Sequence, residues 1–207
     1  MYTQLITSYK PEHKSRCLDV CRAALDAGIS AVQLSWSSND LETLKLGEKL
    51  RRITWRAGAS LVVNNRVDLA IALGADAVHL GQSDIFIPFA KRLAPKSMKI
   101  GLTVSTPQEL IDAELLPVDY YGMGAVYASK TKTVQPIGIK ALASMTALTK
   151  RPVVAIGGVT AAELAPLSFA GASGFAVIGA IYDADCAFTA ASHLVSCWGG
   201  DKLKRQA

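Results

Sequence analysis

Residues 74–84 read GADAVHLGQSD, and this stretch contains the unit that decides the fold. A glycine ends a helix, a short turn follows, and an apolar run leads to a polar end. The first half of the unit has two further variants, Gly28-Ile-Ser-Ala-Val32 and Gly171-Ala-Ser-Gly-Phe175. Glycine tolerates the left-handed conformation in which many helices end. A repeated helix-to-strand joint of this kind predicts a fold built from similar consecutive units.

Eight apolar runs follow one another along the 207 residues, and a helical pattern separates each from the next. They cover residues 2–7, 30–35, 60–65, 76–81, 99–104, 119–124, 152–157 and 174–179. Near-continuous apolar strands are typical of a parallel sheet covered on both faces. Strict alternation of strand and helix predicts crossover helices between parallel strands.

The fold class predicted from this alternation is α/β, a single (β/α)8 TIM barrel. We expect residues 1–207 to form one domain of this kind, with a short polar C-terminal tail. An open doubly wound sheet is the alternative. Eight regular units, and the lack of a GxGxxG turn after the first run, favour the barrel.

Composition and charge limit the kinds of molecule that we expect this protein to bind. No window reaches 18 consecutive apolar residues, and residues 1–14 lack the basic-then-apolar order of a signal peptide. We therefore expect a cytoplasmic protein with no membrane partner. The formal net charge of +5 suits anionic ligands, but the basic residues are scattered except in the tail 202–207. This pattern favours solvated helix faces and a polar tail over a nucleic-acid surface, and the partners that we expect are small-molecule phosphates and not nucleic acid. A homo-oligomer is possible.

The four cysteines do not suggest a disulfide framework. His13, Cys17 and Cys21 share one helical face by their i, i+4 spacing. This spacing is compatible with a metal site, but a fourth ligand is missing, and two cysteines also suit a packing face.

Function in a TIM barrel is located where the strands end at the C-terminal face. Gly157 and Gly158 end the seventh run, and Gly179 ends the eighth. Glycines at these positions allow backbone N–H groups to approach a phosphate closely. The alternative is that they serve only tight turns.

Two further groups of polar residues follow strands. The loop after the sixth run carries Ser129, Thr131 and Lys132, whose hydroxyls and ammonium could hold phosphate oxygens, although it could also be an ordinary exposed loop. After the fourth run, Asp84 is a candidate ligand for Mg²⁺, which proteins often hold with one or two carboxylates and a substrate phosphate.

The side chains around Asp84 allow more than one interpretation. Asn65 could add a neutral oxygen to the metal site. Asp68 is expected to cap its helix or to form an ion pair on it. His79 is either a ligand-facing residue or a core histidine bonded to backbone, and the sequence leaves both open.

The segments 62–84, 122–139, 152–164 and 171–181 together resemble the thiamine phosphate synthase/TenI family. The resemblance covers nearly the whole chain and implies a TIM barrel. It also implies a transferase that joins hydroxymethylpyrimidine diphosphate to thiazole phosphate and releases pyrophosphate with Mg²⁺. In the mechanism that the resemblance implies, the pyrimidine carbocation forms first and the thiazole nitrogen then captures it.

By position, the resemblance assigns roles to the polar strand ends. Gln33 and His79 would face the pyrimidine, and Asn64 would contact the diphosphate. Asp84 would hold Mg²⁺, with Asn65 standing at the position of a second metal ligand.

The remaining implied roles belong to the loops after strands six, seven and eight. Lys132 would contact the diphosphate, and Thr131 and Ser129 match hydroxyls near the thiazole, so these three are the candidate catalytic residues. The implied cradle for the thiazole phosphate is the backbone of Gly157, Gly158, Ile178 and Gly179.

The chain departs from the family pattern at several positions. It reads Gln33-Leu-Ser-Trp-Ser37 where the pattern is Gln-Leu-Arg-x-Lys, so two cations are replaced. Asn65 stands in place of a carboxylate, and Gly179 in place of a serine. Ser105 stands where TenI-like tautomerases have a proton-transfer histidine.

Three functions therefore stay open at the level of the sequence. The first is a thiamine phosphate synthase-type transferase with a divergent diphosphate site. The second is a TenI-like thiazole phosphate tautomerase. The third is a non-catalytic phosphate-binding or regulatory member of the family.

Overall fold

A computed structural model describes residues 2–8, 13, 15–35, 39–129 and 135–203, and of residues 200–203 it describes only the backbone. Eight parallel strands close into a barrel in sequence order, and the first strand pairs with both the second and the eighth. The strands are β1 (Tyr2–Ile6), β2 (Ala31–Leu34), β3 (Ser60–Asn64), β4 (Ala77–Leu80), β5 (Lys99–Val104), β6 (Tyr120–Met123), β7 (Val153–Ile156) and β8 (Gly174–Val177). The predicted fold class is confirmed, and each observed strand lies within one of the eight apolar runs.

Helices connect the strands and cover the outside of the barrel. They are α1 (Cys17–Asp26), α2 (Asp40–Arg56), α3 (Val67–Ala72), α4 (Ile87–Leu93), α5 (Pro107–Glu114), α6 (Gly138–Thr146), α7 (Leu164–Phe169), α8 (Gly179–Tyr182) and α9 (Ala187–Leu203). A short 3₁₀ turn, Ala161–Glu163, precedes α7. Within the part of the chain that is described, no helix combines the length and apolar character needed to cross a membrane.

The three repeated joints end their helices as the sequence predicts. Gly28, Gly74 and Gly171 have φ angles of 96°, 56° and 91°, a region that side chains disfavour. In each case the chain turns directly from the helix into β2, β4 or β8. The repeated glycine therefore sets the entry of three strands into the barrel.

The core has two layers. Between strands and helices lies a large apolar cluster, in which the fully buried Phe175 and Trp198 rings meet edge-on at 5.4 Å. Inside the barrel, Tyr2 and Tyr120 fill the N-terminal end, with ring centroids 6.4 Å apart. A Cβ atom on Gly101 would lie 2.1 Å from a Tyr120 ring carbon, so the glycine makes room for that ring. The polar side chains of the barrel lie above these rings, toward the C-terminal ends of the strands.

Asp119, just before β6, forms hydrogen bonds and ion pairs at the N-terminal end of the barrel. One carboxylate oxygen accepts the backbone N–H of Ile100 at 2.8 Å, and Lys91 and Lys99 each lie 3.3 Å away. Burial opposes ionisation, but the backbone N–H and the two lysines outweigh it and lower the pKa of Asp119. The ionised carboxylate therefore stabilises the folded state.

We expect Asp119→Asn to lower the free energy of unfolding at pH 7 by about 1–2 kcal/mol, because charge-assisted hydrogen bonds are lost. A lowered folded-state pKa gives stability that is present above the unfolded pKa, about 3.9, and disappears as the pH falls through the folded value. Urea unfolding should therefore show a constant difference between wild type and variant from pH 7 to about 5, shrinking below about 4. The exposed Asp185→Asn is the control. A difference independent of pH would contradict this role.

Candidate active site

The C-terminal ends of the strands bring most of the predicted site residues to one mouth of the barrel. Gln33 is the last residue of β2 that pairs with β1, and Asn64 on β3 lies opposite His79 on β4. Gly157 and Gly158 follow β7 directly, while Ile178 and Gly179 follow β8. Side chains from three consecutive strands therefore face the same opening as the two glycine loops.

Amide side chains form a continuous hydrogen-bonded line across this mouth. Gln33 Nε2 donates to Asn64 Oδ1 at 3.1 Å, and Asn64 Nδ2 donates to Asn65 Oδ1. Asn65 Nδ2 then donates to Asp84 Oδ2 at 2.5 Å, and the N–H of Gly81 reaches the same oxygen at 2.6 Å. The line ends on a carboxylate, so Asn64 and the two predicted metal residues form one connected group.

Asp84 has an oxygen available for a magnesium ion, whereas Asn65 in its present orientation does not. Asp84 Oδ2 already accepts two N–H groups, whereas Oδ1 has no protein partner among the described residues. Asn65, with a left-handed φ of 66°, directs its amide nitrogen toward the carboxylate, and its oxygen accepts from Asn64. Asp84 therefore offers one oxygen of the hard type that Mg²⁺ prefers, while Asn65 would have to turn its amide over to offer another. Within the described chain, no three His, Cys, Asp or Glu side chains gather into a metal-binding group.

Arg66, the residue after Asn65, is held by ion pairs. Its guanidinium donates to Asp40 at 3.0 Å and to Asp68 at 2.7 Å. The hydrogen bond from Arg66 lowers the pKa of Asp68. The expected role of Asp68 in an ion pair on its helix is observed. This network fixes the start of α3 directly beside the amide line.

The His79 ring is hydrogen-bonded to two side chains of the barrel. Its Nε2 lies 2.8 Å from Thr103 Oγ1, and its Nδ1 lies 3.2 Å from the Tyr120 hydroxyl. A Cβ on Gly122 would lie 2.8 Å from the imidazole, so this glycine leaves room for the ring. Both ring nitrogens have partners, and the imidazole has a fixed orientation above Tyr120.

The glycines after β7 pack against the loop that follows β6. The N–H groups of Val126 and Tyr127 donate to the carbonyls of Ile156 and Gly157 at 2.8 and 3.0 Å. A Cβ on Gly158, which has a φ of 64°, would lie 2.3 Å from the Ala128 carbonyl oxygen. These glycines thus allow the β6 loop to pack on the loop after β7, in addition to making a turn.

The residues of the β6 loop itself are described only in part. Ser129 is half-buried and follows the segment that packs on Gly158. Thr131 and Lys132, the other two candidate catalytic residues, lie outside the described residues, as do Trp36 and Ser37. Ser35 is described, and its backbone N–H donates to Thr7 Oγ1 at 3.0 Å, which joins the ends of β1 and β2.

Ser105 is part of a turn, and among the described residues its hydroxyl has no basic partner. Its hydroxyl donates to the carbonyl of Gly124 at 2.9 Å, and its backbone N–H donates to Glu109 at 2.6 Å. A carbonyl oxygen cannot take up the hydroxyl proton. Among the described residues, the Ser105 hydroxyl is therefore not hydrogen-bonded to a general base, and serine itself replaces the histidine that the resemblance implies for a TenI-like tautomerase.

A polar group beside Gly179 was not found from the sequence. His13 lies between Ser8 and Asp183, with Nδ1 2.9 Å from Ser8 Oγ and Nε2 3.3 Å from the Asp183 carboxylate. The other oxygen of Asp183 lies 2.7 Å from the place that a Cβ on Gly179 would take. The glycine at the eighth strand therefore accommodates a carboxylate. Residues from two distant segments form this group, so no local pattern reveals it.

Cys17 and Cys21 form a packing face around the Tyr182 hydroxyl, which lies 3.2 Å from Cys17 Sγ and 3.8 Å from Cys21 Sγ. Both cysteines are buried, and His13 stacks on the Tyr182 ring. The hydrogen bond from Cys21 lowers the pKa of Cys17 to about 7, while burial and the same pair raise that of Cys21. Of the two interpretations that the spacing allowed, the arrangement matches helix packing.

A separate surface cavity of about 400 Å³ lies between the end of α2 and the turn before β4. Its lining includes Arg51, Trp55 and Asp76, and Arg51 pairs with Asp76 at 2.7 Å. This cavity is at the N-terminal ends of the strands, whereas ligands of TIM barrels bind at the opposite face. The mouth described above is the better candidate for the active site.

Comparison with known proteins agrees with this architecture. Residues 3–181 match the family model described as thiamine monophosphate synthase. A thiamine-phosphate synthase of Vibrio parahaemolyticus is 36% identical over 180 residues, which cover 86% of this chain and 88% of the relative. One of Synechococcus sp. (strain CC9605) is 38% identical over 179 residues, covering 86% of this chain but 51% of that longer protein.

A solved structure shows the same fold over nearly the full length. The thiamine phosphate pyrophosphorylase from Pyrococcus furiosus superposes with a TM-score of 0.87 at 32% sequence identity, covering 97% of this chain and 96% of that one. The family model spans most of the 207 residues. The chain therefore belongs to the thiamine monophosphate synthase family.

Proposed function

We propose that this protein is a thiamine phosphate synthase, which joins hydroxymethylpyrimidine diphosphate to thiazole phosphate and releases pyrophosphate. Relatives with that name are 34–39% identical to this chain. The single observation that carries the proposal is the amide line that ends on Asp84 at the mouth of the barrel. We also propose that residues 1–207 act as one cytoplasmic domain.

The proposed reaction breaks one bond and forms another. The C–O bond between the pyrimidine methylene carbon and the diphosphate breaks, and its electron pair leaves with pyrophosphate. The lone pair of the thiazole nitrogen then forms the new C–N bond. Asn64 would donate to the diphosphate, and Lys132 would neutralise it as a point charge. Asp84 Oδ1 would hold Mg²⁺, which offsets the negative charge of the leaving pyrophosphate when it is bound.

The organic groups would lie on either side of this centre. Gln33 and the fixed imidazole of His79 would orient the pyrimidine. Ser129 and Thr131 would stand near the thiazole. The thiazole phosphate would bind the backbone after β7 and β8, formed by Gly157, Gly158, Ile178 and Gly179.

The decisive experiment measures thiamine phosphate and pyrophosphate after incubation with both substrates and Mg²⁺. We expect the two products in equal amounts, and a loss of kcat/KM of about 100-fold or more in Asp84→Ala, since a metal-binding carboxylate is removed. The exposed Asp185→Ala, which removes a carboxylate away from the amide line, should retain wild-type activity. No product, combined with binding of thiazole phosphate, would contradict the synthase and favour the non-catalytic alternative.

A tautomerase is less well supported by the site. The Ser105 hydroxyl donates to a backbone carbonyl, and among the described residues it is hydrogen-bonded to no base. The same preparation should therefore fail to isomerise thiazole phosphate substrates.

A further inference from the structure

Gln4 extends the amide line from the mouth down to the floor of the barrel. The hydroxyl of Tyr2 donates to Gln4 Oε1 at 2.5 Å, and Gln4 Nε2 donates to Gln33 Oε1 at 2.5 Å. Gln4 is 3% exposed and Gln33 is 5% exposed, so neither bond competes with bulk water. With the bonds at the mouth, the series Tyr2, Gln4, Gln33, Asn64, Asn65 and Asp84 is unbroken. We call this series the amide relay.

The two ends of the amide relay determine its direction. An ionised carboxylate only accepts hydrogen bonds, so Asp84 forces Asn65 to present its nitrogen. Burial raises the pKa of Tyr2, so at neutral pH the phenol retains the proton that it donates to Gln4. Each amide between these ends must then donate toward Asp84 and accept from the side of Tyr2. A single flipped amide would place two donors or two acceptors against each other.

This direction decides what the mouth can recognise. Each amide uses its oxygen and one N–H within the relay, and a primary amide has a second N–H. Among the described residues, Gln33 and Asn64 donate from their nitrogens only to the next member of the relay. The mouth is therefore rich in donors and suits ligand acceptors such as phosphate oxygens and unprotonated ring nitrogens.

We propose that Gln4 is a positioning residue that sets the orientation of the Gln33 amide and, through it, the donor character of the ligand-binding mouth. The other residues of β1 are apolar or carry hydroxyl groups. An aliphatic side chain would fill the place of Gln4 without the free-energy cost of burying a polar amide. An unpaired buried amide is costly, so Gln33 without Gln4 would have one oxygen without a donor. The part of this inference that concerns the pyrimidine diphosphate rests on the proposed function.

Two substitutions of Gln4 distinguish the effect of its hydrogen bonds from the effect of its side-chain volume. Gln4→Met keeps the length of the side chain but removes both hydrogen-bonding groups. Gln4→Glu keeps the shape, and at a pH high enough to ionise this buried carboxyl it only accepts hydrogen bonds, so it would then turn the Gln33 amide around. The exposed Gln108→Glu on α5 makes the same chemical change at a side chain that bonds Asp112 and not a member of the amide relay, and it is the matched control.

Three readouts are informative for these variants. We expect the KM for the pyrimidine diphosphate to rise about 10-fold in Gln4→Met and more in Gln4→Glu, with kcat changed by less than about 3-fold, because binding orientation is affected before chemistry. The Kd for inorganic pyrophosphate should rise in the same order. Gln108→Glu should leave both values at those of wild type.

The third readout does not depend on activity. The side-chain NH₂ signals of Gln33 and Asn64 in ¹⁵N-correlated NMR spectra should be protected from solvent exchange in wild type and lose protection in Gln4→Met. This readout, with pyrophosphate binding, tests the amide relay even if no thiamine phosphate is formed. Tyr2→Phe deletes only the first donor and provides a second variant if Gln4→Glu does not fold.

The proposal is overturned if folded Gln4→Met and Tyr2→Phe retain wild-type amide protection and wild-type pyrophosphate affinity. A rise of KM and kcat together, with unchanged amide signals, would also overturn it. Loss of protection with a raised pyrophosphate Kd supports the amide relay whether or not the synthase reaction is observed.

Discussion

Replacing Gly158 with alanine should destabilise the protein by about 3 kcal/mol or more and weaken binding of thiazole phosphate at least about 10-fold. Gly158 has a φ of 64°, and a Cβ there would lie 2.3 Å from the Ala128 carbonyl oxygen and 2.7 Å from Tyr127 Cβ. These are backbone and near-backbone atoms, which cannot rotate away. The substitution must therefore push the β6 loop off the loop after β7, where the phosphate cradle is proposed.

Gly58 offers a matched control because its φ is also 64° and nothing lies within 4 Å of an added Cβ. Gly58→Ala carries the conformational cost alone, about 1 kcal/mol. Urea unfolding of both variants gives the steric contribution as the difference between them. Equal destabilisation of the two variants would show that the β6 loop moves freely, and the glycine would then serve only its turn.

The sequence predicts the fold well because the information is local and repeated. The apolar runs contain all eight strands, and Gly28, Gly74 and Gly171 adopt the positive φ expected of helix-ending glycines. The predicted position of the site at the strand ends follows from the topology of parallel strands. Gln33, Asn64 and His79 reach the same mouth because each ends or nearly ends its strand.

The sequence does not predict the internal order of the site. Which atom Asn65 turns toward its neighbours is set by a network that joins β2, β3 and the loop after β4 and ends on the Asp84 carboxylate. Gln4 gives only a weak signal, a single amide within a strand. Contacts of this kind are non-local, so they cannot be predicted from the residue pattern of one segment.

The group of His13 and Asp183 illustrates the same limit. These residues are far apart in sequence and meet only because β1 and β8 close the barrel. The helical spacing of His13 with the cysteines suggested a different partnership. The observed partner of His13 is a carboxylate from the last strand's loop, and the cysteines contact Tyr182.

Restoring an arginine at position 35 should strengthen binding of pyrophosphate and of the pyrimidine diphosphate by about 10-fold or more, because a charge-assisted hydrogen bond contributes about 1.5–3 kcal/mol. Ser35 follows β2 directly, and its backbone is fixed at the mouth by the bond to Thr7. The side chain of Ser35→Arg would thus begin beside Gln33 and opposite the amide line. The gain should fall as salt is added, since screening weakens exposed charges.

Leu115→Arg is the control for this charge. Leu115 is 88% exposed and lies after α5, at the N-terminal side of the barrel, so the same added charge is remote from the mouth. Titration calorimetry with pyrophosphate should show a tighter Kd for Ser35→Arg only. If Ser35→Arg leaves the Kd unchanged while the protein folds normally, the mouth does not bind a diphosphate next to β2. The replacement of two cations by serines would then mark a change of ligand, because a synthase that had merely lost affinity would regain it when one cation is restored.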